Sequence, residues 1–164
     1  MITESWPWRR ELKRVAEKIT RVTHFRHLRQ DTLHNLEKDI LIGFFSVRKL
    51  IDAKSKIEKR VAEMELCLER CSAVRPMGSY QRFDFYEYFD LKSPYLVNKD
   101  LSYVSNQMVH SLLFNFGYLK GNGGLGVFFV SDKDRLKFCN FIAVESIAKV
   151  FTDVAVSNAS SFSI

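Results

Sequence analysis

No stretch of this sequence stays apolar for the roughly 20 residues that a membrane-spanning helix needs. The most hydrophobic run, ILIGFFSV at Ile40–Val47, is closed at once by Arg48 and Lys49. The opening MITESWPWRR lacks the apolar segment of a secretory signal, so a soluble, cytoplasmic setting and no membrane partner are expected. Cysteine is scarce. Cys67, Cys71 and Cys139 make an odd count with no disulfide-like framework, which fits reduced thiols. There is no internal repeat and no G-x-S-x-G elbow, and no cysteine has a recognisable catalytic partner. Serine and cysteine nucleophile chemistry therefore has no foothold, and no cofactor is expected.

What is present is a globular composition. Of 164 residues, 46% are hydrophobic and 13% aromatic, enough for one core in a single domain over residues 1–154, with residues 155–164 expected to form a flexible tail. The net charge is +6, and most of it lies at one end. Residues 1–30 hold Arg9, Arg10, Lys13, Arg14, Lys18, Arg21, Arg26 and Arg29 against Glu4, Glu11 and Glu17. A one-sided basic surface attracts nucleic acid, anionic lipid or an acidic protein.

Apolar residues at helical spacing predict a first helix after Ser5, with Leu12, Val15, Ala16, Ile19 and Val22 inward and Arg10, Arg14, Lys18 and Arg21 outward. A second helix is predicted from Asp31, buried through Leu36, Ile40, Phe44 and Val47, with Gly43 marking close approach of a neighbouring helix. Residues 54–71 read as a third helix whose seam, Ile57, Val61, Met64, Leu68 and Cys71, predicts a homodimer through residues 57–71. QRFDFYEYFD suggests a strand at 82–89, and Asp100 caps a predicted fourth helix through LSYVSNQMVHSLLFNF. A strand at 126–130 and a last helix from Ser131 or Asp132 complete the chain. The expected fold class is α+β and predominantly helical: a bundle of about five helices with a small antiparallel β-sheet in the C-terminal half.

Within KGNGGLGVFFVSDKD, Gly121, Gly123 and Gly126 match G-x-G-x-x-G. A dinucleotide loop requires a strand before and a helix after, and here the predicted order is inverted. Asn122-Gly123 is instead the signature of a type I′ turn. His24 and His27 with Cys67 and Cys71 offer zinc-ligand types at a spacing unlike that of a zinc-finger loop, so surface histidines and semi-buried thiols are the simpler reading and no metal is expected. Asn106 and His110 share one face of the predicted fourth helix. They are either a structural hydrogen-bonded pair or a general acid–base site in a cleft with the glycine turn and Asp132. Arg9, Arg10, Lys13, Arg14, Lys18 and Arg21 form the candidate nucleic-acid surface for RNA or DNA, with Trp6 and Trp8 beside it to stack on bases or to anchor the helix.

Arg29-Gln-Asp-Thr-Leu-His34 has the spacing R-x4-H and resembles the motif of the HEPN superfamily, helical-bundle proteins many of which are metal-independent ribonucleases. That resemblance implies Arg29 for the phosphate charge and His34 for proton transfer. The whole pattern is also similar to small uncharacterised bacterial proteins. Two functions are thus expected as alternatives: an interaction module contacting nucleic acid through its basic first helix, or an HEPN-like ribonuclease.

Overall fold

The computed structural model describes residues 3–25, 27–54 and 56–157. Helix α1 (Trp6–Val22) buries Leu12, Val15, Ala16 and Ile19, with Pro7 in its first turn, where a missing amide breaks no helical bond. Ser5 stands at the N-cap position but makes no side-chain capping bond. Helix α2 (Gln30–Asp52) buries Leu36, Ile40, Phe44, Val47 and Leu50. A Cβ added at Gly43 would strike the Phe151 ring, so the expected close approach is real.

Next come the single turn α3 (Lys59–Ala62), strand β1 (Glu65–Ser72) and a 3-10 helix (Arg82–Glu87). They are followed by β2 (Tyr95–Asp100), α4 (Leu101–Val109), β3 (Ser111–Gly117), β4 (Gly126–Ser131), β5 (Phe138–Ala143) and α5 (Val144–Val156). The strands form one sheet in the order β2-β1-β5-β4-β3, antiparallel at every step. Alternation along each strand gives the sheet two apolar faces. Leu68, Val127, Phe129 and Ile142 meet α1, α2, α4 and α5 on one side. On the other, Cys71, Phe128, Val130, Cys139 and Phe141 lie under Met77, Phe85, Tyr88 and Phe89.

This architecture corrects the predicted bundle. The sheet has five strands, begins at Glu65 and forms the middle layer rather than a small C-terminal appendage. The predicted helix over 54–71 is one turn and then β1. Leu68 and Arg70 face the helices, while Cys71 faces away; burial on both sides masks the two-residue period. The helical seam at residues 57–71 proposed for dimer contact therefore does not exist: Ile57, Val61, Leu68 and Cys71 are all buried within the protomer.

Residues 82–89 are not a strand. Phe85, Tyr88 and Phe89 fall at helix-like intervals and anchor the 3-10 turn over the sheet. The fourth helix stops at Val109, and LLFNF continues as β3. The last helix starts at Val144, after β5 has taken FCNFIA. The strand at 126–130 is present as β4. Helix α5 reaches Val156, inside the segment expected to be a tail, and residues 158–164 of that segment lie outside the described residues.

The glycine stretch joins β3 to β4 instead of a helix to a strand. Its positive φ, +89°, belongs to Gly121 and not to Asn122, so the type I′ geometry expected at Asn122-Gly123 is not formed. Gly126 is required for another reason: a side chain there would enter the Phe141 ring.

Candidate functional site

The basic face of α1 is largely committed to structure. Arg9 Nη1 donates to Val154 O at 3.0 Å and to Ser157 Oγ at 3.2 Å, and Nη2 donates to Lys56 O. Burial lowers the Arg9 pKa, with Glu58 opposing. Arg14 grips Glu11 through two bonds of 3.0 and 2.7 Å and also donates to Asp39 at 3.0 Å. Its pKa is raised, first by the Glu11 hydrogen bond. Lys18 bonds the other oxygen of Asp39. Arg10 lies over the Trp6 ring at 5.1 Å, and Lys13 and Arg21 are exposed. Of six cations expected to meet nucleic acid, Arg9, Arg14 and Lys18 therefore also make intramolecular contacts, Arg14 while remaining half exposed.

Arg29 is the exposed N-cap residue of α2, while His34 lies farther along that helix and lines a cleft to which Arg29 does not contribute. Asn106 and His110 do meet, around a residue that the sequence did not single out. Arg48 Nη1 bonds Asn106 Oδ1 and stands 3.5 Å from His110 Nε2. Asp52 approaches the same guanidinium at 3.8 Å. His110 is the exposed C-cap of α4. The glycine turn and Asp132 do not share one end of the hairpin: Ser111 pairs with Ser131, which leaves Asp132 at the His110 end and the turn at the other. The seven residues of β3 separate His110 from that turn, about 20 Å of extended chain, and Asp132 pairs with Arg135 at 2.7 Å.

Among the described residues no group of three or more His, Cys, Asp or Glu side chains gathers as metal ligands, and no helix is long and apolar enough to cross a membrane. Cys67 and Cys71 sit on one face of β1, the first exposed and the second buried.

A cleft of about 500 Å³ lies between α2, the edge strand β3 and the 3-10 helix. His34 and Glu37 line it from α2, Arg82 and Phe83 from the 3-10 helix, and Phe114, Asn115 and Phe116 from β3. The Phe114 and Phe116 rings meet edge-on at 5.5 Å. Asn115 Nδ2 donates to Arg82 O at 3.0 Å, which ties the 3-10 helix to the sheet edge. Phe83 is 84% exposed, so its ring is open to a partner. Sequence reasoning found only His34 here. The remaining signal was QRFDF, a cation beside two aromatics, whose two-residue spacing reads as a strand face and so conceals the 3-10 helix.

Chemically, the cleft offers aromatic faces for stacking, a guanidinium for an anionic oxygen, and amide and imidazole groups for polar edges. Compared with family models, curated proteins and solved structures, the chain matches none of them.

Proposed function

We propose that this protein is an interaction module that holds single-stranded nucleic acid in the cleft between α2 and β3. The observation that carries the reading is the grouping of Phe83, Phe114 and Phe116 with Arg82 and His34 in one cleft, on a chain of net charge +6. Aromatic faces accept any unpaired base, at about 1–3 kcal/mol per stacked base. Few cations line the cleft, so stacking would supply more of the affinity than phosphate contact, and salt dependence would be shallow. Exposed Arg10, Lys13 and Arg21 add a diffuse field that speeds encounter.

Fluorescence anisotropy with labelled single-stranded RNA and DNA tests this. Phe83→Ala should weaken binding about 5- to 100-fold, and Arg82→Glu should weaken it and flatten the salt slope. Duplex should bind less well than single strand. Absence of binding ends the proposal, and loss of binding in Lys13→Glu/Arg21→Glu with Phe83→Ala silent would return the site to α1.

A second reading, an HEPN-like metal-independent ribonuclease, is favoured by the presence of His34 in this same cleft, with Arg82 rather than Arg29 as the companion cation. RNA recovered intact after incubation with the wild-type protein removes that reading. Cleavage lost in His34→Ala with binding retained supports it.

A further inference from the structure

One cation of β1 points into the protein. Arg70 is 8% exposed and stacks on the Phe138 ring at 3.7 Å. Its Nε donates to Asn140 Oδ1 at 2.9 Å and its Nη2 to the Tyr103 hydroxyl at 2.9 Å. Both acceptors are neutral. Asp134, whose charge reaches Tyr103, is held by Gln107 at 2.8 Å and Lys137 at 3.5 Å. Among the described residues no carboxylate pairs with Arg70 and no acceptor meets Nη1, which is not sealed from solvent. A guanidinium taken out of water without a counter-charge is unfavourable unless something anionic completes it.

The surroundings are unfinished in the same sense. Asn140 Oδ1 is fixed as the acceptor from Arg70, so its Nδ2 is a donor; it lies towards the Tyr103 oxygen without completing a bond and is wholly buried. Ser131 Oγ, also buried and without a partner, lies two residues beyond Phe129, the β4 neighbour of Asn140. Burial raises the Tyr103 pKa, with Asp134 adding and Arg70 opposing, so the phenol keeps a proton to donate. Lys99 Nζ sits over the Tyr103 ring at 5.1 Å.

We infer that Arg70, Tyr103 and Lys99 form a binding site for a small oxyanion, a carboxylate or phosphate group seated against Arg70 Nη1 and the Tyr103 hydroxyl. Nε and Nη2 are already engaged, so the two diverging N–H bonds of Nη1 would meet the anion as single charge-assisted contacts rather than as the parallel two-nitrogen fork. The rings of Phe138 and Tyr103 lie 3.7 and 6.0 Å from the guanidinium carbon, so an anion would approach in the guanidinium plane, at Nη1. This site shares no residue with the cleft between α2 and β3 and does not rest on the nucleic-acid reading.

Titration calorimetry and thermal melting with inorganic phosphate and with acetate, at ionic strength held constant with chloride, test the inference. At least one ion should bind saturably in the millimolar range and raise Tm as occupancy rises. Preference for phosphate would assign the site to phosphoryl compounds, and preference for acetate to carboxylic acids. Tyr103→Phe should weaken binding about tenfold and Lys99→Gln about threefold, whereas Lys120→Gln, at an exposed position, should leave it unchanged. Arg70→Lys should abolish the preference; should it fail to fold, Tyr103→Phe and Lys99→Gln decide. No saturable response to either ion overturns the site, as does a response that persists in both of those variants.

Discussion

Asp39 decides how much of the basic face is available to a partner. It is buried, and it receives both Lys18 and Arg14 from the neighbouring helix. Burial pushes its carboxyl up, but hydrogen bonds from Lys18 and Arg14, and their charges, outweigh this and hold its pKa below the ordinary value. Since the folded value is depressed, the stabilisation is complete above the unfolded value, about 4, and is lost as pH falls through the folded value beneath it. Asp39→Asn should cost about 1–3 kcal/mol at pH 7, at the lower end because Arg14 is half exposed. In urea titrations its deficit from wild type should shrink below pH 4; an equal deficit at both pH values would refute the assignment. Gly43 is the other sensitive position. Gly43→Ala gains about 1 kcal/mol of helix propensity, but the overlap with Phe151 should leave a net loss of about 1–2 kcal/mol. Combining it with Phe151→Leu should recover part of the loss.

At the scale of the element, β1 has the largest structural role, because it is bonded on both edges and packed on both faces. Leu68→Lys places a charge at a fully buried site and should abolish the cooperative unfolding transition seen by circular dichroism. A folded variant of altered mass in light scattering would instead revive a dimer seam. The failure to read β1 from the sequence has a physical cause. Ile57, Val61, Met64, Leu68 and Cys71 satisfy a helical spacing by chance, and charges at Glu65 and Glu69 imitate a solvated helix face. Helices α1 and α2 were legible because each has one apolar stripe long enough to fix its period. β4 was legible as a short apolar run bounded by turns, whereas β3 was absorbed into the helix before it, since Leu112 and Phe116 continue the spacing of Leu101, Val104 and Met108. The cleft was nearly invisible for a related reason. Its residues come from three elements far apart in the chain, and their proximity follows from the strand order rather than from any local pattern.

On the scale of the whole molecule, Arg9 joins three distant segments: α1, the link at Lys56 and the end of α5. Arg9→Ala should cost about 1–3 kcal/mol and raise amide hydrogen exchange over residues 152–157 well before the sheet exchanges. Uniform exchange across the chain would show that the three segments are held without it. The strand order carries a further consequence, in time rather than in space. β1 lies between β2 and β5, yet β5 is made roughly 65 residues later, an interval of several seconds at 5–20 residues per second. During that interval one row of β1 amides and carbonyls has no partner and offers a template for wrong pairing. Non-local closure also slows folding of the released chain. A nascent chain arrested before Phe138 should therefore depend on chaperones and aggregate without them, while the same chain extended past Val156 should be protected.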